Sequence, residues 1–214
     1  MKTYFINNNS DTLLLFFAGW GCDEYEFEHL QSDCDVLIFY EYFDLDFKFD
    51  FSKYKNFNLL AFSAGVFVAS ILDFNLKFDI KTALDGNPYL FDEKFGLSKQ
   101  IQDILYNITI ENADVFARNY LVKTDEEFKN FHPSKRTLES CKKEFDSLKN
   151  IYKNNKQKIK DIYDFAIFGQ DDRIFDISAQ KEFYGKRLRI VENMRHSLFF
   201  RINNYSQIFD LISE

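Results

Sequence analysis

Asn58-Leu-Leu-Ala-Phe62, then Ser63, then Ala64-Gly-Val-Phe-Val-Ala-Ser-Ile-Leu72: an apolar run runs straight into a small-residue helix, with one serine at the joint. The first run is too short for a helix and reads as a buried strand. The second has the length and composition of a packed helix. Similar short apolar runs lie on either side at Leu13–Ala18, Val36–Tyr40, Ile80–Leu84, Phe165–Phe168 and Leu188–Val191. Between most of them stand stretches expected to be helical: Glu24–Gln31, Ala64–Leu72, Ser178–Tyr184 and Leu198–Ile212. Strands alternating with helices imply a mostly parallel central sheet with helices on both faces. Asp44–Phe51 (DLDFKFDF) alternates with period two and fits either an edge strand or an extended loop.

The alternation breaks between Asn87 and about Lys160. Apolar positions there recur at helical spacing, at Ile101, Ile104, Leu105 and Ile108, then Phe116, Tyr120 and Leu121. The stretch is too long for one crossover and short for a domain of its own. It is expected to be a helical lid at 87–160, inserted into a core made of 1–86 and 161–214. From Arg118 to Lys160 there are twelve Lys and Arg against six Asp and Glu, a balance of +6 in a chain of formal charge −7. An ordinary solvated helix face carries such runs too.

Composition narrows the classes further. With 214 residues, 46% hydrophobic and 29% charged, the chain is neither disordered nor a disulfide miniprotein. A net charge of −7 argues against nucleic acid as a partner. No apolar run approaches the ~20 residues of a membrane span, and Met1-Lys2-Thr3-Tyr4 leads into no signal-like segment. Three cysteines, Cys22, Cys34 and Cys141, show no metal-ligand spacing and read as reduced thiols, so a cytoplasmic protein is expected.

Only seven residues are glycine, and five of them fall just after expected strands: Gly19, Gly21, Gly65, Gly86 and Gly169. Ligands of open α/β sheets bind at that edge. Ala61-Phe62-Ser63-Ala64-Gly65 resembles a nucleophile elbow, usually G-x-S-x-G, in which a sharp strand-to-helix turn lifts the serine hydroxyl clear. Ala61 stands where glycine is usual, and a plain small-residue turn would look similar. A serine nucleophile needs a base, and the base an orienting acid. His29 and His132 fit solvated positions. His196 follows the last strand, in a loop able to reach Ser63. Gly169-Gln-Asp-Asp-Arg-Ile174 follows the strand before it and offers Asp172, with Asp171 as competitor. The backbone N–H groups of Trp20 and Ala64 suit an oxyanion, and Cys22 is the reserve nucleophile.

The order FFAGWGCD, LLAFSAGV, ALDGNPYLFDEKFGL, FGQDDRIF and ENMRHSLF resembles the BioG family of small α/β-hydrolases, pimeloyl-[acyl-carrier protein] methyl ester esterases of biotin synthesis. The likeness extends from about Leu13 to the C-terminus. It implies a compact α/β-hydrolase fold and demethylation of a pimeloyl chain held on acyl carrier protein. Ser63 would be nucleophile, His196 base, Asp172 its partner, and Trp20 and Ala64 the oxyanion donors, with no metal or organic cofactor. The carrier is acidic, so the basic stretch, chiefly Lys135, Arg136, Lys142 and Lys143, is the expected docking face of a monomer. A general carboxylesterase or an acyl-thioesterase would share the mechanism, and a non-catalytic carrier-binding protein is the other alternative.

Overall fold

The computed structural model describes residues 1–213; Glu214, the last residue of the expected core, lies outside them. Seven strands form one sheet. They are β1 (Lys2–Ile6), β2 (Thr12–Phe17), β3 (Asp35–Tyr40), β4 (Asn56–Phe62), β5 (Ile80–Leu84), β6 (Phe165–Gly169) and β7 (Leu188–Val191). Their order is β1-β3-β2-β4-β5-β6-β7, with β1 antiparallel to β3 and every other pair parallel. Leu15 sits beside Leu37 on one side and Leu59 on the other. Central strands buried on both faces explain why they read as unbroken apolar runs.

Each face has its own core. One carries Leu13, Leu15 and Phe17 against α1 (Ala64–Ile71), α5 (Leu138–Asn155) and α6 (Ile177–Tyr184). The other carries Leu14 and Phe16 against Phe27, Phe199 and α7 (Ser206–Ser213). Phenylalanine supplies much of this burial, and each such ring taken out of water stabilises by about 1.5–3 kcal/mol. Phe16 alone meets Phe27, Phe199 and Tyr205 within 6 Å, mostly edge to face.

Asp44–Phe51 is an extended loop, not a strand. Leu45, Phe47, Phe49 and Phe51 turn inward at period two and pack against the core on one face of the sheet. Two expected helices are shorter than their sequence suggests. Glu24–Gln31 forms one 3-10 turn, Glu24–Phe27, and Leu198–Ile212 divides into a 3-10 turn at Phe199–Arg201 and α7. One long-range contact breaks both. The Gln31 N–H donates to the Asn203 carbonyl at 2.8 Å, and the Tyr205 N–H to the Gln31 carbonyl at 3.1 Å. Backbone committed to that bridge cannot also continue a helix.

Between β5 and β6 lie α2 (Lys99–Tyr106), α3 (Ala113–Phe116), a π-helical turn at Ala117–Leu121, α4 (Asp125–Lys129) and α5. Among the described residues no helix is long and apolar enough to cross a membrane.

Candidate active site

Ser63 stands between β4 and α1 at φ 53° and ψ −121°, a conformation that costs a non-glycine residue about 1–3 kcal/mol. Its own N–H donates to the Leu84 carbonyl at 2.9 Å, which ties the turn to the end of β5. Gly65 is required by close approach. A Cβ there would lie 2.3 Å from the Phe17 carbonyl oxygen, so only glycine lets α1 start against β2. Ala61 is fully buried in the strand, and its methyl fits.

His196 is buried, with its ring against Phe62 at 5.2 Å and stacked on Phe175 at 5.9 Å. Its loop lies directly on Gly169, where a Cβ would meet the Arg195 carbonyl oxygen at 2.1 Å. The π-helical turn holds the loop from above. His196 N–H donates to the Tyr120 carbonyl at 3.2 Å and Ser197 N–H to that of Leu121 at 3.1 Å. Nδ1 of His196 is 2.9 Å from Asp172 Oδ2, and Nε2 is 2.9 Å from Ser63 Oγ. A carboxylate only accepts, so Nδ1 carries the proton and Nε2 faces the serine hydroxyl as acceptor. The other oxygen of Asp172 accepts the N–H groups of Ile174 at 2.7 Å and Phe175 at 3.3 Å, which fixes the carboxylate plane. Asp171 points elsewhere. It pairs with Lys123, which holds its carboxyl below the ordinary range.

Ser63, Trp20, Ala64 and His196 line one cavity of about 240 Å³. Its wall is chiefly apolar, with Leu90, Leu97, Leu105, Phe116 and Leu121 facing in from the segment between β5 and β6. Ala64 opens α1, so its N–H has no partner within the helix. Trp20 belongs to a turn that α5 grips. Trp20 Nε1 donates to the Cys141 carbonyl at 2.7 Å, and its ring meets Phe145 edge-on at 5.5 Å. Gly21, at φ +79°, donates its N–H to Glu144 Oε2 at 3.0 Å; Tyr42 N–H donates to Oε1 at 2.8 Å. Burial pushes the Glu144 carboxyl up, and Arg136 opposes this from 2.6 Å.

Two further candidates escape the reading of the sequence. Glu144 is one charge among many in an amphipathic helix, and nothing local marks it as buried. Asp85, at the carboxyl end of β5, lies with Asp172 and His196 in a group whose ligating atoms are all within 4.8 Å of one another. Its place after an apolar strand was the available signal. That group is the one set of three suited to a cation among the described residues, though both ring nitrogens of His196 already serve Asp172 and Ser63.

The four basic residues separate. Lys135 and Lys143 are exposed and Lys142 half-buried, each over an aromatic ring: Tyr25, Phe43 and Tyr106 respectively. Arg136 turns inward, with 5% of its side chain exposed, between Glu144 and Glu41. Cys22 also lines the cavity, but burial pushes its thiol well above the ordinary range, and Glu26 adds to this. A thiol held protonated in this way makes a poor nucleophile. His29 and His132 stack on each other at 5.1 Å, and His29 Nε2 meets the Phe199 carbonyl at 2.9 Å.

The fold is that of the α/β-hydrolases. A carboxylesterase of the thaumarchaeon Nitrososphaera gargenis matches it at a TM-score of 0.61 with 14% identity, over 99% of this chain and 92% of that one. Within that class the chain belongs to the BioG family, described as pimeloyl-ACP methyl esterase, whose model matches residues 1–208. The protein is thus a hydrolase of an ester-cleaving family. The crystal structure of BioG from Haemophilus influenzae matches at a TM-score of 0.81 and 28% identity, over 98% of this chain and 100% of that one. A malonyl-[acyl-carrier protein] O-methyltransferase of Bacteroides fragilis is 31% identical over 180 residues, 81% of this chain. This chain spans 36% of that enzyme's length.

Proposed function

We propose that this protein hydrolyses the methyl ester of pimeloyl-[acyl-carrier protein] through an acyl-enzyme formed on Ser63. The observation that carries the proposal is the unbroken chain Ser63 Oγ, His196 Nε2, His196 Nδ1, Asp172 Oδ2, with both links at 2.9 Å, at the floor of an apolar cavity. In this reading Ser63 Oγ attacks the ester carbonyl carbon while its proton passes to His196 Nε2. Asp172 stabilises the imidazolium and keeps its orientation. The oxyanion is met by the N–H groups of Trp20 and Ala64. The C–O bond to the methoxy group breaks, and methanol leaves with the proton from His196. Water then attacks the acyl-enzyme, gives one proton to His196, and releases the free carboxylate as Ser63 recovers its own. The apolar wall suits the methylene chain, and family membership supports a carrier-bound substrate. Residues 87–160 act as a lid over the mouth, with Lys135, Lys142 and Lys143 towards the carrier.

The decisive experiment offers the purified protein methyl-pimeloyl carrier protein and follows loss of the methyl group by mass spectrometry. Demethylation is expected, and Ser63→Ala is expected to abolish it together with labelling by a fluorophosphonate. Full activity in Ser63→Ala would overturn the mechanism. Hydrolysis of simple esters but never of the carrier-bound one would leave a general carboxylesterase.

A further inference from the structure

Asp85 follows the last residue of β5 and is fully buried. Three contacts lock the backbone around it. Its N–H donates to the Ile167 carbonyl at 2.8 Å, the Leu84 carbonyl before it accepts the Ser63 N–H, and the Gly86 carbonyl after it accepts the Tyr184 hydroxyl at 2.8 Å. A Cβ on Gly86 would lie 2.4 Å from the Ser63 carbonyl oxygen, so the chain here is pressed against the elbow. Asp85 itself takes φ 44°, a left-handed conformation held by these neighbours. Its side chain therefore has little freedom.

That side chain has two unequal oxygens. Oδ1 accepts the Gly169 N–H at 2.8 Å, at the start of the turn that bears Asp172. Oδ2 is sealed from water with no protein donor in reach. The titratable groups gathered with Asp85 are Asp172 and His196, and the Nδ1 proton of His196 is already given to Asp172. Asp172 already accepts from His196, Ile174 and Phe175. Two carboxylates this close in a dry site cannot both be charged. The three donors on Asp172 favour charge there, and the bare oxygen on Asp85 favours a proton there.

We propose that Asp85 is a positioning residue for the catalytic acid: a neutral carboxylic acid whose Oδ2 hydroxyl donates to the Asp172 carboxylate while Oδ1 holds the turn beneath it. The inference rests on the Ser63–His196–Asp172 reading and extends it by one residue. Burial pushes the Asp85 carboxyl well above the ordinary carboxylate range, and the charge on Asp172 adds to this. Such an acid does two things in the reaction. It supplies a hydrogen bond that keeps the Asp172 plane aligned with the imidazole as charge develops. It also keeps the site at a single negative charge, so the histidine is not over-stabilised as imidazolium and can return its proton to methanol.

The test compares Asp85→Leu, which removes donor and acceptor while keeping a γ-branched side chain, with Asp85→Asn. The asparagine carbonyl can accept the Gly169 N–H while its amide donates to Asp172. On p-nitrophenyl acetate, Asp85→Leu is expected to lower kcat by about tenfold to a hundredfold, the loss seen when the outer partner that orients a metal-ligating side chain is removed. KM should stay near wild type, and Asp85→Asn should recover most of the loss. The infrared difference spectrum of wild type minus Asp85→Asn should contain the C=O stretch of a protonated carboxyl at neutral pH. That signal is independent of turnover, and it decides the matter even where Asp85→Leu fails to fold. An ionised carboxylate in that spectrum, or an Asp85→Asn loss as deep as that of Asp172→Asn, would overturn the proposal. So would a folded Asp85→Leu with wild-type kcat. Activity surviving in Ser63→Ala would instead sink the triad reading, whatever Asp85 does.

Discussion

Asp171 and Asp172 are adjacent, and one residue decides which of them serves the histidine. The Asp172 carboxylate turns in because the N–H groups of Ile174 and Phe175 draw it there, with Ile174 buried as an anchor. Asp171 turns out to Lys123. In Asp172→Asn the amide disfavours the tautomer that places the proton on His196 Nδ1, a change worth about 10⁴ in turnover in serine proteases. Steady-state kinetics on p-nitrophenyl acetate should show Asp172→Asn crippled and Asp171→Asn near wild type. The opposite ranking would move the acid by one residue.

The elements do what no single residue can. Helix α5 reaches across the sheet edge and grips the turn at Trp20 and Gly21 through one carboxylate and one carbonyl, those of Glu144 and Cys141. Glu144→Gln keeps the shape, yet its amide nitrogen cannot accept, so either Gly21 or Tyr42 loses its partner. Losing an oxyanion donor outright costs about 10²–10³ in kcat, and a donor merely loosened should cost about tenfold. The check is kcat against KM: kcat should fall while KM stays near wild type, and thermal unfolding should show lower stability. An unchanged kcat would leave Glu144 with a purely structural role. Arg136, the counter-charge of that carboxylate, contributes to the turn and not to the outer surface.

Charge and pH act on the whole molecule. Under the proposed function a chain of formal charge −7 meets an acidic carrier and depends on local attraction, which salt screens over about 8 Å at physiological strength. Changing Lys142 and Lys143 together to Glu, or raising salt, should lower kcat/KM for the carrier-bound ester and spare p-nitrophenyl acetate. Equal losses on both would point to damage of the site, and no loss on either would make this a plain solvated face. Stability has its own acid limit. Burial alone would raise Asp35, but hydrogen bonds from Lys53, Tyr54, Ser10 and Asn8 outweigh it and hold the carboxyl at about 2. A depressed carboxylate stabilises above its unfolded value near 4, and the contribution is lost as pH falls from there to about 2. With Lys53 half-exposed it amounts to about 1–2 kcal/mol. Urea unfolding of wild type and Asp35→Asn between pH 6 and pH 2 should show their difference shrinking on acidification; a constant difference would refute it.

The sequence by itself determined the sheet and the chain order of the site. Buried parallel strands must be apolar throughout, so six of the seven were legible as runs. The turns that bring Ser63, Asp172 and His196 together were legible because glycine is scarce and falls where backbones touch. β1 escaped because an edge strand with Tyr4 and Phe5 exposed has no buried run to read. Helix lengths near Glu24 and Leu198 were decided by the bridge between Gln31 and Asn203 to Tyr205, a contact made some 170 residues apart in the chain. The roles of Asp85 and Glu144, and the inward turn of Arg136, also came only from the folded state. A charged residue's surroundings depend on which distant elements close over it, and local periodicity carries no record of that.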